Sequence, residues 1–372
     1  MINVHCKKYR EKIFMRICLI ILVFAVFSGG CQNYCKKQVT FERVFCWGTP
    51  YNEDAARKFS EIGVTDIMVH NQTQYDWAVK YKMTPYCGVF LPQGPHLQVM
   101  TKEETEYHNY INGYDLNRKN YTNKEFQKIL NQRRIEKNHR FGGEYENAID
   151  TLNYKGIQCF NSDEDYKLSK RRIDSIIEKA PSGVKGIYFD FFGYTNHYGC
   201  YCKVCLQDYQ NFLQAKNLKD SESNRNIFYR DILVKYYNAM TDYVKSKRSD
   251  FKVLVHIYPV FTPEVLYGNR TNVDFCGQTV AWYFPWELEK VAKYTDIVLK
   301  SAKKYYPHSE GIPFVGLNAA HGSALVNKSP EVLEKELQTI LDAGGRTLLV
   351  CNGADMIKNN YSEIFKKYCS KK

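Results

Sequence analysis

Short apolar runs alternate with amphipathic segments from residue 43 to the end of the chain. Runs of this kind, rich in β-branched and aromatic residues and without inner polar positions, are typical of strands buried on both faces of a parallel sheet. Eight runs can be followed, at 44–48, 66–70, 85–90, 187–190, 252–257, 279–284, 312–318 and 347–352. They are the predicted strands.

The segments between these runs carry apolar residues at helical spacing. Asn52 is a predicted helix cap and Gly63 the matching stop, and Ser329 followed by Pro330 is a typical helix start. Further helices are predicted at 75–81, 163–180, 225–247 and 286–305, and a short one at the end of the chain. Eight strand–helix repeats predict an α/β fold, a (β/α)8 TIM barrel, with a doubly wound open sheet as the alternative.

The alternation is interrupted between the third and fourth predicted strands. Residues 91–160 are polar, charged and aromatic, with helical pieces predicted only at 102–110 and 123–137. A long connection inside a compact domain is usually functional, so this segment is interpreted as a lid-like insertion. A disordered linker is the alternative, but the abundance of tyrosine argues against it.

The first residues have the pattern of an export signal. A basic stretch precedes the apolar run 17–27, and Ser28-Gly29-Gly30-Cys31 follows. This resembles a bacterial lipoprotein signal, which predicts a signal peptide at 1–30, a lipid on Cys31, a tether at 31–40 and a barrel at 41–372. The protein would then be exported and anchored to a bacterial membrane, on the periplasmic side or at the cell surface. An ordinary signal peptide is the alternative.

Charge and composition argue against a nucleic-acid partner. The net charge of the 372 residues is +12, and five bases and one acid lie in residues 1–30, which leaves +8 for the rest (12 − 5 + 1 = 8). These bases are scattered and belong to no nucleic-acid motif, so they are interpreted as a solvated surface.

Polar and aromatic residues recur where the predicted strands end. In a barrel the carboxyl ends of all strands meet at one mouth, where such folds keep their chemistry. Aromatic faces together with amide, imidazole and carboxylate groups suit a sugar, so a carbohydrate substrate is predicted. The predicted substrate-binding residues are Trp47, His70, Asn71, Tyr194, His256, Tyr258, Trp282, Asn318, His321 and Asn352. For each histidine, a satisfied position in the barrel is the alternative.

Asp190 closes the fourth predicted strand and is the first candidate for a catalytic carboxylate. Glycoside hydrolysis normally needs a second carboxyl group, and Glu287 and Asp355 compete for the role of acid. Trp286 could raise the pKa of Glu287 by desolvation. The alternatives are a turn cap or ion pair for Asp190, a first-turn helix residue for Glu287 and a cap for Asp355.

The segment that follows Asp190 carries Cys200, Cys202 and Cys205 at C-x-C-x-x-C spacing. Together these features resemble the TIM-barrel glycoside-hydrolase-like proteins of exported bacterial systems. Several α-glycosidase families of this fold keep a nucleophile where Asp190 lies, and the cysteines resemble the zinc-binding cluster of family-42 β-galactosidases. Those enzymes end strand four in Asn-Glu and use a Glu on strand seven, whereas this chain has Asp190-Phe191 and Asn318. Their acid/base pair therefore cannot be transferred.

The resemblance implies a fourth, upstream cysteine ligand, which would be Cys159; His197 is the other candidate. A thiolate site of this sort would be structural, while a disulfide or free thiols remain alternatives. No cofactor is predicted for catalysis itself. The predicted function is a glycoside hydrolase-like enzyme acting on an oligo- or polysaccharide, with Asp190 as nucleophile or key carboxylate. The alternatives are a non-catalytic carbohydrate-binding lipoprotein on a degenerate barrel, or a hydrolase or lyase of another bond.

Overall fold

Eight parallel strands form a closed barrel in the computed structural model of the chain. The structure describes residues 39–91, 106, 110, 113, 115–136, 159–191, 200, 202–257, 267–282, 286–317, 328–351, 353–358 and 361–369. The strands are β1 (Arg43–Trp47), β2 (Asp66–Val69), β3 (Thr84–Phe90), β4 (Gly186–Phe191), β5 (Lys252–Ile257), β6 (Phe275–Ala281), β7 (Glu310–Gly316) and β8 (Thr347–Cys351).

Closure of the barrel is set by the pairing of its first and last strands. β1 pairs with β8 in parallel over its whole length, from Arg43 opposite Thr347 to Trp47 opposite Cys351. The predicted (β/α)8 barrel is therefore confirmed, and the open sheet is wrong. The barrel belongs to a compact unit that spans Thr40–Lys372.

The helices described outside the ring of strands follow the predicted order with small shifts of their ends. They are α1 (Glu53–Glu61), α2 (Gln72–Lys80), α3 (Asn123–Glu136), α4 (Asp163–Lys179), α5 (Lys203–Ala215), α6 (Glu222–Lys247), α7 (Leu288–Tyr305), α8 (Pro330–Asp342) and α9 (Tyr361–Tyr368). Both predicted caps are confirmed, since the side chain of Asn52 accepts from the amide of Ala55 and that of Ser329 from the amide of Val332.

Two elements differ from the prediction. β6 begins at Phe275 rather than at residue 279, and the residues expected to end it at 283–284 lie outside the described part of the chain. The helix α5, which begins right after Cys202 and contains Cys205, was not predicted. It buries Cys205, Tyr209 and Leu213, which are four residues apart and therefore lie on one face of the helix.

The connection between β3 and β4 runs from residue 91 to residue 185 and contains α3 and α4. Most of the predicted lid, and the predicted signal with Cys31, lie outside the described residues. Among the described helices, none is long and apolar enough to cross a membrane.

The end of the barrel opposite the mouth is filled by an ion pair between aromatic rings. Arg43 donates to both carboxylate oxygens of Asp66, at 2.9 and 2.7 Å, and to the hydroxyl of Tyr86 at 3.0 Å. Its guanidinium lies 4.4 Å from the ring centroid of Phe45 and 4.5 Å from that of Phe275. The two charges neutralise each other, and the guanidinium stacks on the rings. This end of the barrel is therefore filled without an unpaired buried charge.

Candidate active site and cysteine cluster

Asp190 and His256 lie side by side near the carboxyl ends of β4 and β5. They are register partners in the parallel ladder, and Oδ1 of Asp190 is 3.1 Å from Nε2 of His256. The side chains are buried, with 2% of Asp190 and none of His256 exposed. The two atoms are at hydrogen-bond distance, although their orientation is not that of a formed hydrogen bond. A rotation of the imidazole would align them, and hydrogen bonds of catalytic groups commonly tighten only when substrate binds.

Aromatic rings surround this pair inside the barrel. The indole of Trp47 lies 4.0 Å from the ring centroid of His256, edge to face, and stacks on Tyr188 at 5.3 Å. On the other side Phe314 is 5.0 Å from the imidazole, and Trp282 packs against Phe314 at 5.4 Å. The pair is therefore embedded in an apolar, aromatic environment.

Burial shifts both ionisable groups of the pair towards their neutral forms. It raises the pKa of Asp190 well above the ordinary 3.8 and lowers the pKa of His256 to about 3. Because the contact is short, the two groups form one coupled unit, and burial favours the states in which this unit is uncharged as a whole.

The other predicted mouth residues occupy a range of environments. His70 is exposed yet has its pKa lowered by burial of the ring, and Asn71 is the cap of α2, accepting from the amide of Gln74. Glu287 is exposed, so the desolvation expected from Trp286 is not found; that indole packs on Tyr294 at 5.7 Å.

Asp355 is buried, in the single helical turn that follows β8. Several predicted residues lie outside the described part of the chain: Tyr194, His197, Tyr258, Asn318, His321 and Asn352.

The four cysteines form a compact cluster, as the resemblance implied. The sulfur atoms of Cys159, Cys200, Cys202 and Cys205 all lie within 4.8 Å of one another. The Sγ of Cys159 is 3.8 Å from that of Cys202 and 3.6 Å from that of Cys205. Four thiolates about 2.3 Å from a zinc ion at the corners of a tetrahedron would be about 3.8 Å apart. A disulfide would need about 2.05 Å between two sulfur atoms, so the clustered cysteines of the described chain form no disulfide with one another.

The thiols of the cluster shift one another's pKa values. Donation from Cys200 and Cys205 lowers the pKa of Cys159, whereas the pKa of Cys205 is raised, first by Cys159 and then by Cys200. Four thiolates together require a cation between them, and the donor set fits a soft divalent metal such as zinc.

The cluster joins segments that are distant in sequence. Cys159 lies at the end of the predicted insertion, just before α4, whereas Cys200 and Cys202 precede α5 and Cys205 lies in its first turn. Next to them Asn161 donates to Asp208 on α5 at 2.6 Å, and Tyr229 on α6 donates to the carbonyl of Cys200 at 2.6 Å. The start of α4 is thus tied to the chain that continues from Asp190.

Two buried polar pairs were not found from the sequence. The Asp190–His256 contact depends on the register between strands. The second is an ion pair between Lys328 and Glu336, at 2.5 Å with neither side chain exposed, and Tyr361 donates to the carbonyl of Lys328. A buried lysine just before a capped helix start gives no local sequence signal.

Neither a protein-family model nor a curated protein sequence matches this chain. Among solved structures, it is similar to the PgaB (BpsB) glycoside hydrolase domain from Bordetella bronchiseptica. The two are 9% identical, the match covers 90% of this chain and 100% of that domain, and the TM-score is 0.51. The chain thus shares the (β/α)8 barrel fold of that domain.

Two further structures match over most of the chain with lower scores. One is α-L-fucosidase isoenzyme 2 from Paenibacillus thiaminolyticus, with 12% identity, 89% of this chain and 49% of that chain covered, and a TM-score of 0.48. The other is a β-galactosidase from the psychrophilic Marinomonas ef1, with 10% identity, coverages of 83% and 54%, and a TM-score of 0.48. This chain thus spans about half the length of these two enzymes.

Proposed function

We propose that the protein is a glycoside hydrolase-like enzyme that acts on an oligo- or polysaccharide and uses Asp190 as its nucleophile or key carboxylate. The observation that carries this proposal is the placement of Asp190 inside a closed barrel, one residue before the end of β4 and beside His256. In barrels of this kind the carboxyl ends of the strands carry the chemistry. The aromatic rings nearby supply surfaces on which a sugar ring can stack.

The chemistry that this placement allows is a double displacement. The carboxylate of Asp190 would bond to the anomeric carbon as the glycosidic C–O bond breaks, and the leaving oxygen would take a proton from an acid. Water would then release the sugar from Asp190 and return the proton to that acid. Glu287 and Asp355 remain the candidates for the acid.

The cysteine cluster has a structural part in this proposal. A zinc ion held by Cys159, Cys200, Cys202 and Cys205 would contribute cross-linking and no step of the reaction. It would hold the chain between β4 and α5 in place and so help to fix the end of β4 that carries Asp190. The sequence before residue 40 supports export and a lipid anchor on Cys31, which we include in the proposal.

A second candidate is a carbohydrate-binding protein without catalysis. The exposure of Glu287 favours it, because a solvated carboxylate is a poor acid for this reaction. So does the cause of the pKa shift of Asp190. Within the described part of the chain that cause is burial, and no neighbouring carboxylate contributes to it.

The two candidates are separated by measuring release and binding on the same protein. We would assay wild type, Asp190→Asn and the control Asp296→Asn, an exposed acid on α7, against a panel of aryl glycosides and of plant and host glycans. The enzyme proposal expects release by wild type and by the control, none by Asp190→Asn, and similar glycan affinity in all three by calorimetry. Glycan binding without release by wild type would support the second candidate.

A further inference from the structure

We propose that His256 is the positioning residue of Asp190. It donates its Nε2–H to Oδ1, which stabilises the carboxylate form and leaves Oδ2 for chemistry at the mouth of the barrel. This inference rests on the function proposed above, because it concerns how the same carboxyl group is kept ready for a sugar.

The register of the sheet fixes the contact between the two side chains. Residues 190 and 256 are direct partners of β4 and β5, so their side chains leave the ladder at the same height and towards the same face. The resulting distance from Oδ1 to Nε2 is 3.1 Å. A contact made by two paired backbone positions does not depend on a loop.

The imidazole packs between aromatic rings, which offer no acceptor for its N–H groups. Trp47 meets it at 4.0 Å with an interplanar angle of 65°, and Phe314 at 5.0 Å with an angle of 69°. These contacts come from β1 and β7, the two strands that flank β8 in the closed barrel. Because His256 has no exposed surface, its proposed role is exerted through Asp190. The direct substrate contact predicted for His256 from the sequence stays a prediction.

The other ionisable groups inside the barrel leave the proton of this pair undisturbed. Arg43 and Asp66 neutralise each other at the far end. Burial raises the pKa of Tyr188 and Tyr86 and lowers that of His70, so all three are uncharged around neutral pH. Within the described chain, six ionisable groups lie inside the barrel around the pair or in the neighbouring layers of side chains: Arg43, Asp66, His70, Tyr86, Tyr188 and Cys351.

The physical need for such a donor follows from burial. A carboxylate in an apolar site is disfavoured relative to the acid, yet a nucleophile must be ionised. A hydrogen bond to a charged group offsets part of this cost. Its loss should raise the midpoint for ionisation of Asp190 by about one to two pH units.

The test is a pH titration of the Asp190 carboxyl by infrared difference spectroscopy, a readout that does not require activity. The carboxyl band is identified by its absence in Asp190→Asn. We expect His256→Phe, which keeps a ring but has no donor, to raise the midpoint by about one to two pH units. His256→Gln, whose amide nitrogen can donate, should restore it towards wild type. An unchanged midpoint in His256→Phe, or equal midpoints in His256→Phe and His256→Gln, would overturn the proposal.

A measurement on wild type keeps the proposal testable if His256→Phe fails to fold. Nitrogen-15 spectra of the nine histidines, with His256 assigned by its loss in His256→Gln, report which ring nitrogen carries the proton. Protonated Nε2 at the pH where Asp190 is ionised supports the proposal, and bare Nε2 overturns it. If no glycan is cleaved but the infrared shift is found, the enzyme proposal fails and the positioning role stands. If glycans are cleaved, the acid limb of kcat/KM should move with the infrared midpoint.

Discussion

Replacing Cys159 by serine should release the part of the β3–β4 connection just before α4 from the chain that follows β4. Cys159 and Cys200 are 41 positions apart (200 − 159 = 41), so a metal bridging them closes a loop of about that length. The loop-entropy relation used for covalent cross-links gives about 4 kcal/mol at 25 °C for such a loop. The free energy of unfolding of the metal-loaded protein should therefore fall by up to about 4 kcal/mol in Cys159→Ser.

The assay combines metal content with unfolding in denaturant, both with and without a chelator. Wild type should carry about one zinc per chain and lose about 4 kcal/mol of stability on chelation, whereas Cys159→Ser should carry less metal and respond little to the chelator. The matched control is Cys276→Ser, since Cys276 is an equally buried thiol outside the cluster. It should keep the metal and the full response to the chelator.

The reasoning would be refuted by a wild-type protein without stoichiometric metal after purification in zinc and reductant. It would also be refuted if Cys159→Ser and Cys276→Ser lost the same stability. Equal losses would mean that each variant loses stability only because a serine hydroxyl is buried in place of a thiol. The cluster would then not cross-link the two segments.

Three other expectations concern the buried groups. Because the folded-state pKa of Asp190 is raised, its contribution to stability is present below 3.8 and lost as pH rises through the folded value. Asp190→Asn should therefore melt above wild type at neutral pH, with a gain that vanishes towards pH 3.8. Lys328→Met should lower the free energy of unfolding in urea by about 3–5 kcal/mol, because it leaves the buried carboxyl group of Glu336 without its partner. Adding Glu336→Leu should recover most of that loss. No recovery would contradict a buried ion pair. Trp47→Ala should weaken glycan binding about tenfold by calorimetry, while Trp77→Ala on α2 should leave it unchanged.

Most strands could be predicted because a strand buried on both faces is an unbroken apolar run. β6 shows where that signal fails. Gly277 and Gln278 interrupt the run, so the predicted start fell at residue 279 instead of Phe275. Gly277 is glycine for packing, since a Cβ there would lie 2.3 Å from Cδ2 of Leu349 inside the barrel. Only the neighbouring strands reveal that requirement.

In the candidate site, too, residues that belong to a local sequence pattern could be predicted, whereas residues brought together by the fold could not. Asp190 and the three clustered cysteines could be singled out because a strand end and a C-x-C-x-x-C spacing are local patterns. The partner of Asp190 could not, since His256 lies 66 positions away (256 − 190 = 66) and meets it only through the register of β4 and β5. Likewise α5 was missed although its buried residues are regularly spaced, because the cysteines at its start were interpreted as a metal motif alone.

The edge-to-face contact between Trp47 and His256 gives the protein an optical reporter of its own. The chain has four tryptophans, and one of them lies 4.0 Å from the imidazole of His256. A cation at that distance perturbs the π electrons of an indole, so the emission of Trp47 should change when His256 gains a proton. It should also change when a sugar replaces water next to the ring. Ultraviolet fluorescence can therefore follow the charge of the site and the arrival of a ligand without any added label.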